Sequence, residues 1–123
     1  MGNLIEAKER IMLVKSQGIE SLRLSSLEIS TKDLIELIPI IEIELPQLKI
    51  LNLANNYLII LPKDIYKLRY LEKLYLTSNQ LSSLPLEIRN LKHLKELYFR
   101  RNRINDLTEG LEFIDELNII FFR

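Results

Sequence analysis

A 23-residue period runs through most of this 123-residue chain and restricts its fold more than any other feature. Aliphatic and aromatic residues return at fixed columns, among them Leu51, Leu74 and Leu97 in one column and Leu53, Leu76 and Phe99 in the next. Each unit reads LxxLxxLxLxxNxLxxLPxxIxx. A fixed period of this length indicates a solenoid, in which each unit buries its apolar side against its neighbours.

The pattern within each unit predicts a strand followed by a turn. The LxL core alternates with a period of two, as expected of a strand with one buried face. The following xxNxL segment must turn the backbone, and an asparagine amide can bond the exposed backbone groups of that turn. Stacked units therefore predict a parallel sheet with a structural, non-catalytic asparagine ladder at Asn56, Asn79 and Asn102.

The repeat resembles that of the leucine-rich repeat family. Its LPKDI (61–65) and LPLEI (84–88) segments are similar to the 23-residue LPxxI class, found in bacterial, plant-intracellular and Ras-associated repeat proteins. The resemblance implies a right-handed α/β leucine-rich repeat solenoid with a curved parallel β-sheet of about five strands and an N-terminal capping helix. It also implies a protein-binding role.

The units divide the chain into one repeat domain over residues 1–123. Asn3 and Glu6 form a capping signature, and Gly18 suits a helix end, so the amphipathic segment between them predicts a capping helix. Pro39 is expected to kink or end a second helix that starts after Ser30. The predicted parts are a helix over 3–17, an atypical first repeat with a helix over 19–44, repeats over 45–67, 68–90 and 91–113, and a partial repeat over 114–123.

The last unit stops within its own predicted strand. The pattern places Ile120 in the column of Leu97, and Phe121 on the outward face. The NIIFFR sequence is apolar and prone to form strands. Such a segment at the edge of a sheet must be covered, because an exposed edge can pair with other chains. Three interpretations stay open: a truncated domain, a natural end that is tolerated, or an edge that pairs with another copy.

Candidates for chemistry are few. The chain has no Cys and one His, His93, and its three Gly are scattered, so disulfides, thiolate metal sites and a Gly-rich phosphate loop are excluded. We therefore predict no enzyme activity, no cofactor and no metal site. The sequence has no signal-peptide run and no membrane-length apolar stretch, which with the lack of Cys predicts a cytoplasmic protein.

The outward positions of the strands supply a candidate binding surface. Because side chains alternate across a strand, one outward column runs through Arg23, Asn52, Tyr75, Tyr98 and Phe121. Tyrosine and arginine are enriched at binding hot spots, whereas strand propensity alone also explains exposed tyrosines. The predicted partner-binding residues are Tyr75, Tyr98, Arg100, Lys73, Asn52, Arg101 and Phe121.

Charge supports a protein partner without naming it. The formal charge is zero overall but divides into −3 over 1–44, +7 over 45–103 and −4 over 104–123. The balance argues against nucleic acid or a membrane as partner. Two alternatives are a regulatory or targeting fragment of a larger signalling enzyme, such as a Roco-type GTPase, and a structural protein that self-associates through its C-terminal edge.

Overall fold

A computed structural model describes residues 2–103 and 120–122 of the chain. Residues 114–119 and 123 of the predicted last repeat lie outside the described residues. The elements in chain order are α1 (Leu4–Gln17), β1 (Ser21–Arg23), α2 (Thr31–Glu44), β2 (Ile50–Asn52), a 3-10 helix (Lys63–Lys67), β3 (Lys73–Tyr75), a second 3-10 helix (Leu86–Asn90), β4 (Glu96–Tyr98) and β5 (Ile120–Phe122).

The five strands form one parallel sheet in the order β1-β2-β3-β4-β5. Neighbouring strands pair with the central leucines of the repeat opposite each other, as Leu51 with Leu74 and Leu74 with Leu97. These central leucines are fully buried, whereas the residues on either side of them are partly exposed in β2, β3 and β4. The architecture is the predicted α/β leucine-rich repeat solenoid.

Asparagine side chains connect each turn to the preceding unit. Asn79 accepts a hydrogen bond from the backbone N–H of Leu58 at 3.0 Å and donates to the carbonyls of Leu53 and Leu76, both at 3.0 Å. Asn56 and Asn102 make the corresponding bonds one unit earlier and one unit later. The amides thus satisfy backbone groups that the end of each strand leaves unpaired.

The residue before each ladder asparagine has left-handed backbone geometry. The φ angles are +56° at Asn55, +59° at Ser78 and +57° at Arg101. L-residues rarely adopt this region, so its repetition at one column marks the point where every unit leaves its strand. Arg101, a predicted contact residue, therefore lies in this turn and not within β4.

Helix α1 covers the first strand at the N-terminal end of the core. Its Ala7 and Ile11 are fully buried, and Leu4 and Val14 pack against the same cluster. The helix ends at Gly18, whose φ of +66° is the left-handed geometry that glycine adopts without strain. The predicted apolar face and the predicted helix end are both confirmed.

The predicted capping box at Asn3 is wrong. Asn3 precedes α1, but its side chain accepts no bond from the first turn. Its amide nitrogen instead donates to the carboxylate of Glu6 at 3.0 Å. The backbone N–H of Asn3 is already bonded to the carbonyl of Leu27 at 2.9 Å, so it is not available for the return bond from Glu6 that a capping box requires.

Helix α2 starts as predicted but does not break at Pro39. Ser30 and Asp33 form a capping box, with Ser30 Oγ accepting from the N–H of Asp33 at 3.1 Å and Asp33 Oδ2 accepting from the N–H of Ser30 at 3.0 Å. The helix continues through Pro39, which is exposed. Leu37 and Ile41 on either side are fully buried, and this packing holds both halves of the helix against the core.

The predicted register of the last strand is wrong by one residue. Strand β5 pairs with β4 so that Phe121 lies opposite Leu97 and Phe122 lies opposite Tyr98. The step between these strands is therefore 24 residues rather than 23. Because a one-residue slip exchanges the two faces of a strand, Phe121 takes the register position of a central leucine and not the outward column.

Of the helices that the structure describes, none is both long enough and apolar enough to cross a membrane.

Candidate functional site

The outward face of the sheet, called here the concave face, carries Arg23, Asn52, Tyr75 and Tyr98 in one row across β1 to β4. The strand register sets these residues directly opposite one another. Arg23 is exposed, and the other three are half-buried. The leucines that alternate with them on the same strands fill the core on the other side of the sheet.

Tyr75 and Tyr98 form a stacked pair at the centre of this row. Their ring centroids are 4.3 Å apart, and the planes differ by 8°. This separation is close to the spacing of adjacent strands, so the stack follows from the pairing of β3 with β4. The two rings together present a continuous, half-exposed aromatic surface.

Glu96 fixes the tyrosine pair from one side. The Tyr98 hydroxyl donates a hydrogen bond to the Glu96 carboxylate. Lys73 Nζ lies 3.5 Å from the same carboxylate, which links β3 to β4. The bond from Tyr98, with smaller contributions from Lys73, holds the pKa of Glu96 below its ordinary value against the opposing effect of desolvation. The bond to Glu96, followed by desolvation, raises the pKa of Tyr98 well above its ordinary value.

Replacing Tyr98 with phenylalanine is expected to return the pKa of Glu96 toward its ordinary value, because the largest cause of its lowering is removed. The interactions that lower the pKa of Glu96 stabilise the fold at pH values above the ordinary carboxyl pKa. This stabilisation is lost as the pH falls through the lowered pKa. The interactions that raise the pKa of Tyr98 stabilise the fold at pH values below the ordinary tyrosine pKa. This contribution is lost as the pH rises through the raised pKa.

Carbon-13 NMR titration of the Glu96 carboxyl measures the effect of Tyr98→Phe. The matched control is Tyr66→Phe, because Tyr66 lies on the first 3-10 helix, away from the concave face. The titration of Glu96 should be unchanged in this control. An unchanged pKa of Glu96 in the Tyr98→Phe variant would contradict the assigned hydrogen bond.

Part of the basic charge of the middle repeats is paired across strands. Lys49 Nζ lies 3.6 Å from Glu20, and Lys95 Nζ lies 3.6 Å from Glu72. Lys73 is paired as well, so among the described residues Arg100, which is exposed and lies two residues after Tyr98, is the cation without an ion pair that is closest in sequence to the tyrosine pair. Such exposed pairs stabilise the fold little, but they reduce the charge that a partner would meet.

Two family models match the repeats. A model described as "Leucine rich repeat" matches residues 17–81, and one described as "Leucine Rich repeats (2 copies)" matches residues 71–113. The chain belongs to the leucine-rich repeat family. Domains of this family are generally protein-interaction modules, and the fold is typically non-enzymatic.

A solved structure supports the same assignment. The leucine-rich repeat chain is similar to a leucine-rich repeat protein of Leptospira interrogans, with a TM-score of 0.69 and 31% sequence identity. The match covers 92% of this chain and 27% of that one, so the chain spans about a quarter of the length of its structural relative. No protein of curated function matches it.

The leucine-rich repeat fold brings four of the predicted contact residues together. Asn52, Lys73, Tyr75 and Tyr98 lie on the same face of three adjacent strands. Arg100 follows at the strand end, whereas Arg101 lies in the turn and Phe121 is not in the outward register.

Glu96 is the functional candidate that the sequence interpretation omitted. It stands 23 residues after Lys73, in the same column. Opposite charges at this spacing were the available signal, because cross-strand neighbours on one face interact directly.

The described residues contain no cluster of three or more His, Cys, Asp or Glu side chains placed to hold a metal ion. His93 is exposed, and its ring lies 5.5 Å from that of Tyr70 at a tilt of 31°. In this part of the chain every buried side-chain nitrogen and oxygen has a hydrogen-bond partner.

Proposed function

We propose that this leucine-rich repeat chain binds a protein partner on its concave face, with Tyr75 and Tyr98 at the centre of the contact. The single observation that carries the proposal is the stacked pair of tyrosine rings on the side of the sheet opposite the core. Lys73 and Asn52 flank this pair on the same face, and Arg100 follows at the strand end.

The core does not require these tyrosines. Leu74 and Leu97, on the same strands, are fully buried on the other side of the sheet. Large aromatic side chains that stay half-exposed are the residues that most often dominate binding free energy in protein interfaces. The stack and the hydrogen bond to Glu96 also restrict Tyr98 before binding, which lowers the entropy lost when a partner immobilises it.

The charged residues around the pair suit orientation of the partner more than affinity. Lys73 is already paired with Glu96, so it contributes little net charge. Arg100 is exposed and offers a planar guanidinium to an acidic group of the partner. Charges at such rim positions mainly affect association rate and specificity.

We also assign the repeats to the 23-residue LPxxI class. The middle strands pair at steps of 23 residues. Pro62 and Pro85 each precede a 3-10 helix, and the isoleucines of the motif, Ile65 and Ile88, are the fully buried residues of these two helices.

Affinity capture with three forms of the chain tests the proposed binding. The wild type is compared with Tyr75→Ala/Tyr98→Ala on the concave face and with Tyr66→Ala/Tyr70→Ala, two tyrosines that are 38% and 42% exposed away from that face. Captured proteins are identified by mass spectrometry. We expect a partner retained by the wild type and by the control but lost by the concave variant.

Circular dichroism of both double variants establishes whether they keep the fold. A folded concave variant that captures the same partners as the wild type would contradict the proposal. Loss of capture in both double variants would also contradict it, because binding would then not depend on the concave face.

A further inference from the structure

A recess lies at the N-terminal end of the concave face, between α1 and β1. Its volume is about 510 Å³, within the range of small-ligand sites. The lining combines two arginines, Arg10 and Arg23, with serine hydroxyls and the apolar side chains of Leu13 and Val14. Neither the repeat pattern nor the core explains why two arginines meet at this end of the sheet.

Arg10 is committed to a structural role in the recess. Its Nη1 donates to the carbonyl of Arg23 at 3.0 Å, and its Nη2 donates to Glu6 at 3.0 Å. The first bond covers a backbone group at the exposed edge of β1. The second balances the charge of Arg10, so this arginine adds little net charge to the recess.

Arg23 is held in place but keeps its outer edge open. Its Nε donates to Ser25 Oγ at 2.8 Å, and Ser25 is only 6% exposed, so the guanidinium is anchored by a buried hydroxyl. Within residues 2–103, the two Nη groups of Arg23 have no hydrogen bond or ion pair. Two adjacent N–H groups of a guanidinium match the two oxygens of one carboxylate.

The charge of the recess favours a singly charged anion. With Arg10 balanced by Glu6, the recess has a net charge of about one, from Arg23. Leu13, which is 56% exposed, and Val14 provide an apolar wall beside this charge. A carboxylate on a short aliphatic chain matches both features, whereas a phosphate dianion would leave charge unbalanced.

We propose that this recess binds one carboxylate of an aspartate or glutamate side chain of the protein partner, paired with the Nη groups of Arg23. The inference rests on the proposed concave-face binding and adds a chemical requirement for the partner. Arg23 and Tyr75 lie two strands apart in the same row, a distance of about 10 Å. The acidic residue of the partner therefore lies about 10 Å from the residue that contacts Tyr75.

NMR titration of the full chain with sodium propionate, at constant ionic strength and pH 7, tests this site. Nitrogen-15 spectra report the Arg23 Nε and the amides of Ser25 and Ser26. We expect saturable shifts at these signals with an affinity at least about tenfold higher than at Arg89, an exposed arginine on the second 3-10 helix. Arg23→Gln should abolish the response, and Arg89→Gln should leave it intact.

Shifts at Arg23 that do not saturate and equal those at Arg89 would overturn the proposal. Inorganic phosphate provides a second arm, and tighter binding of phosphate than of propionate at Arg23 would overturn the assignment to a carboxylate. The tyrosine pair is not involved in this titration, so Tyr75→Ala/Tyr98→Ala should respond to propionate as the wild type does. Failure of this site is thus distinguishable from failure of the proposed protein binding.

Discussion

The Asn79→Ala variant is expected to lose about 3–5 kcal/mol of its free energy of unfolding, a large part of the stability of a small domain. Asn79 accepts from the N–H of Leu58 and donates to the carbonyls of Leu53 and Leu76. All of these bonds are buried, so alanine would leave several backbone groups without partners and without access to water.

Urea denaturation followed by circular dichroism measures this loss. The matched control is Asn90→Ala, an exposed asparagine at the end of a 3-10 helix, which is expected to change the free energy of unfolding by less than about 0.5 kcal/mol. Asn102 is less buried than Asn79, so Asn102→Ala should have an intermediate effect. Equal effects of Asn79→Ala and Asn90→Ala would contradict the structural role of the ladder.

The Ile11→Ala variant is expected to lose about 2–5 kcal/mol, because it removes a fully buried side chain from the N-terminal end of the core. Alanine is the best helix former, so the substitution does not weaken α1 itself. The loss therefore measures packing of α1 against the first repeat, where Ala7 and Val14 contact the same cluster.

The neighbouring residue provides the control for α1. Met12 is 47% exposed, and Met12→Ala is expected to change the free energy of unfolding by less than about 0.5 kcal/mol. Comparable losses from Ile11→Ala and Met12→Ala in urea denaturation would mean that α1 does not seal the core.

The sequence predicted those structural features that recur with the 23-residue period. The columns of Leu51, Leu74 and Leu97 are buried and paired because every unit packs in the same way against its neighbours. Features that depend on one position only were predicted less well. Pro39 stays within a helix because core packing outweighs a missing hydrogen bond, and Phe121 shifts because the last step has one additional residue.

In the candidate site, too, the features that recur with the period were predicted and the others were not. Tyr75 and Tyr98 were predicted to be neighbours because they share a column, and their stacking follows from the register. The recess around Arg10 and Arg23 was not predicted, because the position of α1 against β1 is set by packing between elements outside the repeat period.

Binding on the concave face is tested most directly by the dissociation constants of the captured partner for three forms of the chain, measured by isothermal titration calorimetry. Because two central aromatic contacts are lost, we expect Tyr75→Ala/Tyr98→Ala to raise the dissociation constant by about 100-fold or more. We expect Tyr66→Ala/Tyr70→Ala to change it by less than about threefold. Equal dissociation constants for the wild type and a folded Tyr75→Ala/Tyr98→Ala variant would contradict the concave face as the binding surface.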